Sequence, residues 1–330
     1  NDRFIPEKEI LDSLRLENPP AKIFVDNDKQ LYFATYTNEF CRYDQARGKI
    51  YSYPLNKEDG RVCDMSDVGD RLYVVHTSGV VEGIDKASGE SVYRDEYLTQ
   101  YANAQLFYVF ADSDGDLWFG TSNGISLYDS KQKQWRSFLS SFNHGLKDQN
   151  RIFITLCEVS PGIIWAGGYA SGIFQITKKN GNIEYLTPAQ SFHLNVRADK
   201  YIRDIKKDRY GCIWSGGYYN LKCFNLKTRQ GRLYPGLGSV TAIEEKDSTS
   251  MWIGTSTNLF LLDRNSGKYH EIPLPGGATY IYTLHQEDNG LLYIGTSGSG
   301  LFTYDPVKES ISAHYHTGNS PLVSNSIYVI

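Results

Sequence analysis

Four sets of residues in this chain have the types and spacing that chemistry uses. Gly120-Thr121-Ser122-Asn123-Gly124 spells the Gly-x-Ser-x-Gly frame of a hydrolase nucleophile elbow, in which a strand-to-helix turn exposes the serine. Here a second strand pattern follows, and Gly254-Thr255-Ser256 repeats the turn elsewhere, so Ser122 reads as a turn residue. Asp112, Asp114 and Asp116 alternate like the start of a calcium loop, but the twelve-residue loop, its sixth-position glycine and its closing glutamate are missing. An ordinary Asp-Gly hairpin turn accounts for them. His314 and His316 fall on one side of a strand and would need a third metal ligand from elsewhere, which the sequence does not point to. The five cysteines, Cys41, Cys63, Cys157, Cys212 and Cys223, contain no Cys-x-x-Cys and are odd in number, so they read as buried thiols rather than a disulfide framework or zinc knuckle. The expectation is a segment with no catalytic residue, no metal and no cofactor.

The elements that carry these residues repeat. Asp112 to Asp129 reads as an acidic turn, an aromatic strand, a Ser-Asn-Gly turn and a second strand ending in Tyr-Asp, a β-hairpin by its local chemistry. Aligned on the central aromatic, copies fall at Tyr32, Tyr73, Trp118, Trp165, Trp214, Trp252 and Tyr293, spaced by 41, 45, 47, 49, 38 and 41 residues. That period matches one four-stranded propeller blade. An apolar stretch precedes each hairpin and an amphipathic one follows it, which makes four strands per repeat. The expected fold is all-β: a seven-bladed β-propeller with four-stranded antiparallel blades over 21–320, in which the aromatics pack between blades. Residues 1–20 form an N-terminal arm outside the repeats, with one helical pattern over 6–16. Residues 321–330 parallel the lead-in Gly145 to Ile154 and read as the start of a further repeat, truncated. Repeats one and two are the most degraded, with His76 read at a place where others carry glycine.

Composition narrows the class. A net charge of -4 and the absence of any basic run leave no footprint for nucleic acid. No apolar stretch reaches membrane-spanning length and no signal peptide is visible. The 25 tyrosines and 30 glycines suit a turn-rich β protein.

Three connections are longer than the rest: 94–105, 140–151 and 187–201. Each joins the outermost strand of one blade to the innermost strand of the next, so it emerges on the same face as the turns between second and third strands. Two of those turns hold tyrosines, Tyr169, Tyr218 and Tyr219, where other repeats have Ser or Thr. Loops longer than the usual few residues call for a reason, and binding is the commonest. The candidate ligand-binding set is Tyr101, Asn103, Asn143, His144, Asn150, Arg151, Tyr169, His193, Asn195, Arg197, Tyr218 and Tyr219. It combines flat aromatic faces with planar hydrogen-bonding groups, the mixture that sugar recognition uses. An assembly interface would use tyrosine and arginine equally well.

The pattern Asp-x-x-Gly-x-Leu-Trp-x-Gly-Thr-x-x-Gly-Leu-x-x-Tyr-Asp, best matched by Ser113 to Asp129 and Asp288 to Asp305, resembles the two-component regulator propeller repeat. The resemblance covers 21–330, and repeats one, two and five depart from it. It implies the periplasmic sensor region of a hybrid two-component system that regulates polysaccharide use. In that family a second propeller, a β-sandwich, a membrane helix, and a histidine kinase fused to a response regulator complete the receptor. The implied partners are an oligosaccharide, the second propeller and β-sandwich of the same chain, and a homodimer mate, with no nucleic acid contact by this segment. Two alternatives stand beside it. A propeller lyase needs histidines and glutamates converging on the axis, whereas the seven histidines here fall at unrelated places in the repeat. A purely structural scaffold would share every feature of the ring.

Overall fold

The computed structural model describes residues 20–320 and 325–327, apart from 27, 29, 36–38, 45, 46, 48, 102–105, 140–151, 170, 171, 195–200, 278 and 288. The helical pattern over 6–16, and nearly all of 1–20 and 321–330, lie outside the described residues. Seven four-stranded antiparallel sheets are present, each made of four consecutive strands paired in chain order. The fold is a seven-bladed β-propeller, and no blade borrows a strand from another part of the chain. All seven anchors sit in second strands: Tyr32 in Leu31–Thr35, Tyr73 in Arg71–His76, Trp118 in Leu117–Thr121 and Trp165 in Ile163–Tyr169. Trp214 lies in Cys212–Gly217, Trp252 in Ser250–Thr255 and Tyr293 in Leu292–Thr296. The first strand begins at Pro20.

The chain forms two compact units, 99–281 with blades 3 to 6, and 1–98 with 282–330, which holds blades 1, 2 and 7. In the 99–281 unit the strand period of two sorts side chains between neighbouring blades. On the second strand of blade 5, Ile213 joins Trp165, Ile173 and Ile205 in the core shared with blade 4. Its neighbours Cys212 and Trp214 point the other way and join Val240, Met251 and Ile253 in the core shared with blade 6. Trp118 enters blade 4 in the same manner, against Phe153, Leu156 and Ile164. In the other unit Tyr32 of blade 1 packs with Val62, Met65 and Val74 of blade 2.

The glycine two residues after the anchor makes room for this packing. A Cβ on Gly167 would lie 2.5 Å from Cγ2 of Ile202, and one on Gly216 would lie 2.5 Å from Cγ1 of Val240. In blade 2 the register puts Val75, opposite Asp64, at that glycine position. His76 therefore stands at the following position, where blades 4 and 5 carry Gly168 and Gly217 and blades 1, 3, 6 and 7 carry threonine.

Each first strand with a described register carries a β-bulge near its start. The register skips a residue between Val62 and Asp64, between Phe153 and Thr155, between Ile202 and Asp204, and between Val240 and Ala242. After a bulge the next N–H is turned out of the ladder. Ile205 N–H then donates to Thr155 Oγ1 of the preceding blade at 3.1 Å, and Ile243 N–H to Asp204 Oδ2 at 3.3 Å.

Among the described residues one short α-helix interrupts the β structure, Pro188–Ser191 in the connection from blade 4 to blade 5. Thr187 and Gln190 form a capping box and proline opens the helix, a signal present in the sequence that the strand-centred reading passed over. All five cysteines are free, and burial pushes the Cys63 thiol up to about 12 and that of Cys157 up to about 11. Residues 325–327 run along blade 7, where Ile327 N–H donates to the Thr296 carbonyl and Gly300 N–H to the Asn325 carbonyl, both at 2.8 Å.

Trp214 is 1% exposed and fills the join between blades 5 and 6. Trp214→Ala should cost about 3–5 kcal/mol of stability through the cavity it leaves, read as a lowered denaturation midpoint. A change under about 1 kcal/mol would contradict the packing described.

Candidate functional site

The residues singled out for chemistry are occupied by the fold. Thr121 Oγ1 donates to the Gly124 carbonyl at 3.0 Å and accepts from Asn123 N–H at 2.9 Å. Thr255 and Thr296 close their turns in the same way. A strand, Gly124–Asp129, follows Ser122, so the serine lacks the strand-to-helix setting of a nucleophile elbow.

Asp112, Asp114 and Asp116 come together around an amine. Lys178, the residue after the third strand of blade 4, places Nζ 2.6, 2.8 and 2.7 Å from their carboxylates. Asp112 Oδ1 also accepts the N–H groups of Asp114 and Asp116, and its Oδ2 accepts the indole N–H of Trp118 at 2.8 Å. Lys178 holds the Asp114 carboxyl below its usual range. Burial works against the charge on Asp116, but Lys178 and Ser130 outweigh it and the net direction is also downward.

A second cluster joins Asp59, His76 and Glu82 in blade 2, all buried. Arg94 grips Asp59 in a two-pronged pair, Nη1 to Oδ2 at 2.5 Å and Nη2 to Oδ1 at 2.8 Å. That pair holds the Asp59 carboxyl below its usual range. His76 spans the Gly60 carbonyl at 3.3 Å and Glu82 Oε2 at 3.2 Å. In blade 7, His314 lies flat on Phe302 with Nε2 2.7 Å from the Ser299 carbonyl, and His316 Nδ1 accepts Gly318 N–H. No third metal-ligating side chain joins that pair among the described residues.

What remains accessible is a patch of tyrosines on blades 4 and 5. Tyr218 and Tyr219 form the turn after the second strand of blade 5, and Tyr218 N–H donates to the Tyr201 carbonyl at 3.3 Å. The ring centroids of Tyr201 and Tyr218 are 5.1 Å apart, and those of Tyr218 and Tyr219 are 6.1 Å apart. The three residues are 39%, 47% and 58% exposed, among the few large apolar side chains so open to solvent. Tyr169 ends the second strand of blade 4 and is covered by Arg203 of blade 5, whose guanidinium lies 5.1 Å from the ring centre and donates to the phenol oxygen at 2.9 Å.

Of the sequence-based candidates, Tyr218 and Tyr219 are together in this patch and Tyr169 lies beside Arg203. His193 is elsewhere. The helix Pro188–Ser191 carries the connection along the outside of blade 5, where Phe192 packs edge-on against Trp165. His193, at φ 53°, bonds through Nδ1 to the Arg229 carbonyl at 2.9 Å and packs on Phe224. Arg229 is in the turn between third and fourth strands, at the opposite end of the blade from Tyr218. Asn103, Asn143, His144, Asn150, Arg151, Asn195 and Arg197 lie outside the described residues, as does the side chain of Tyr101, which ends the 3-10 turn Tyr97–Tyr101. Tyr201 and Arg203 were missed from sequence.

Residues 101–123 match the family model of the two-component regulator propeller. That stretch is a two-component regulator propeller match. No curated protein matches the chain in sequence. Among solved structures, the computationally designed Ika8 protein is similar in fold, with 14% identity, a TM-score of 0.66 and coverage of 95% of this chain and 91% of that one. The extracellular domain of the putative hybrid two component system BT3049 from B. thetaiotaomicron is 16% identical with a TM-score of 0.44. That alignment covers 95% of this chain and 54% of the other, so this chain spans about half of that domain's length. No helix among the described residues is long and apolar enough to cross a membrane.

Two outcomes follow from the carboxylate clusters. Chelator should leave the melting temperature unchanged, because Lys178 already supplies the positive charge at Asp112 to Asp116; a marked drop would show a resident metal. Lys178→Met strands two buried carboxylates and should cost about 3–5 kcal/mol near neutral pH. The depressed Asp114 and Asp116 stabilise the fold above the ordinary aspartate value of 3.8, and that stabilisation is lost as pH falls through their lowered values. The melting-temperature gap between wild type and variant should therefore narrow from about pH 7 to about pH 3, and a constant gap would refute the assignment.

Proposed function

We propose that this propeller is the extracytoplasmic ligand-sensing module of a hybrid two-component receptor, and that it takes an oligosaccharide on the tyrosine patch of blades 4 and 5. The observation that carries the reading is the cluster of Tyr201, Tyr218 and Tyr219, exposed side by side, with Tyr218 at a turn position where blades 2, 3, 6 and 7 carry Thr77, Ser122, Ser256 and Ser297. Tyrosine rings offer flat apolar faces to pyranose C–H groups and phenols to their hydroxyls, with few rotors to freeze on binding. The repeat supplies the receptor class, since its family is described as two-component regulators.

In this reading the segment itself is non-catalytic. The kinase, a second propeller, a β-sandwich and a dimer mate belong to the rest of the receptor, the location is periplasmic, and the output is control of polysaccharide-utilisation genes. A second reading, in which the patch docks another domain or a dimer mate, draws on the same exposed tyrosines.

The double variant Tyr218→Ala, Tyr219→Ala separates the two. Both residues are about half exposed, so the melting temperature should move little. Loss of the two stacking faces should weaken oligosaccharide binding at least about tenfold and abolish ligand-dependent transcription in the intact receptor. Unchanged binding and signalling, with a changed oligomeric state by light scattering, would establish the interface reading instead.

A further inference from the structure

We propose that Arg203 is the anion-binding residue of the tyrosine patch, and that the ligand it selects is an acidic oligosaccharide carrying the carboxylate of a hexuronic acid. The inference rests on the sugar-platform reading and narrows it to a chemical class.

Arg203 is the bulged residue of the first strand of blade 5, skipped in the register between Ile202 and Asp204. A bulge frees a side chain from the alternation of its strand and re-aims it. Here it lays the guanidinium on Tyr169, with Nη1 donating to the phenol oxygen. Nε is buried and meets no acceptor, and no ion pair or further hydrogen bond engages the guanidinium among the described residues. Nη1 is thus spent on Tyr169, while the Nε and Nη2 edge meets no acceptor among the described residues. That edge is the fork that grips a carboxylate through two parallel bonds.

Two other arginines also leave a buried Nε without an acceptor, and both serve to join blades. Arg42 donates to the Lys86 carbonyl at 2.9 Å, and Arg264 pairs with Asp208 at 2.9 Å. Arg203 differs in meeting neither a carbonyl nor a carboxylate. The charged groups that follow it are engaged elsewhere: Asp204 accepts Ile243 N–H, and Lys206 pairs with Glu244. Nothing in its own strand neutralises the guanidinium, and it sits two residues from Tyr201, whose ring opens the stacking surface. A cationic fork beside exposed rings calls for a ligand with an anionic planar group on a flat scaffold, and a uronic acid residue within an oligosaccharide has both. An acidic peptide from a partner could offer the carboxylate but not the succession of pyranose C–H faces that stack on neighbouring tyrosines.

The test is calorimetric titration of the 330-residue chain with a panel of hexuronate oligosaccharides, each beside its methyl ester, which keeps the sugar and removes the charge. Wild type should bind at least one acid about tenfold or more tightly than its ester, the fold-change expected for a charge-assisted pair. Arg203→Met should bring the acid down to the level of the ester and leave the ester unchanged. Arg203→Lys, which keeps the charge and loses the fork, should recover only part of the preference. Circular dichroism and melting of both variants control for folding. Equal binding of acid and ester by wild type would overturn the role of Arg203 while leaving the sugar platform intact. Binding of neither form overturns both, and saturable binding of an acidic peptide in their place would identify a protein-docking surface.

Discussion

The rest of the structure hangs on a carboxylate six residues ahead of the aromatic anchor. In blades 3 and 5 that residue is Asp112 or Asp208. One oxygen closes its own turn by accepting two backbone N–H groups, and the other holds the anchor's indole N–H at 2.8 or 2.7 Å. The next blade then returns a cation to the same carboxylate, Lys178 in one case and Arg264 in the other. Asp26 and Lys86 make the corresponding join between blades 1 and 2 at 3.3 Å. A buried carboxylate alone would be costly, and a buried ion pair often only breaks even against an apolar pair of the same size. The hydrogen bonds from the turn and the indole tip that balance. They also fix the rotamer of the anchor, and so determine which blade its ring enters. Blades 4 and 6 use other means: Trp165 donates to Gln175 of its own sheet, and Lys246 lies over the Trp252 ring.

This division explains what could be read from the sequence. Turn, anchor and glycine fall within a dozen residues of each other, so a local reading finds them, and their period gives the number of blades. The cation is another matter, since Lys178 stands 66 residues beyond Asp112. Read alone, Asp112 to Asp116 looked like an acidic turn or a fragment of a calcium loop. The missing signal was in the repeat itself: Lys86, Lys178 and Arg264 each directly follow the third strand of their blade. An alignment by strand end, beside the alignment by anchor, would have paired each with the aspartate of the preceding blade.

The candidate site divides along the same line. Tyr218 and Tyr219 were legible because they break the repeat within a turn whose register the strands dictate. His193 was misplaced because its connection takes its course from its own capping box and from a residue at positive φ, which turn the chain toward Arg229. Loop length gives the number of residues available, not the path they follow. Arg203 escaped notice for a third reason. It stands in a strand that reads as Ile-Arg-Asp-Ile, where a charged residue passes for an ordinary solvent-facing one. Only the bulge reveals its place. At the equivalent skipped position blades 2, 4 and 6 carry Cys63, Ile154 and Thr241, so Arg203 is the charged exception among them.

A buried donor without an acceptor costs on the order of 1–3 kcal/mol, and a small protein rarely carries that deficit without support. The support is visible around Arg203. Ile202 is seated against Gly167, Ile205 N–H is tied to Thr155, and Phe192 is wedged on Trp165. None of these contacts involves the guanidinium, so the junction of blades 4 and 5 is held whether or not Nε finds a partner. Because the frame is fixed independently, the guanidinium is not drawn onto a neighbouring carbonyl, as Arg42 is at Lys86, or onto a carboxylate, as Arg264 is at Asp208. The repeat thus does more than display loops: by joining blades through backbone, glycine and anchor, it leaves a guanidinium at the join with neither a carbonyl nor a carboxylate partner.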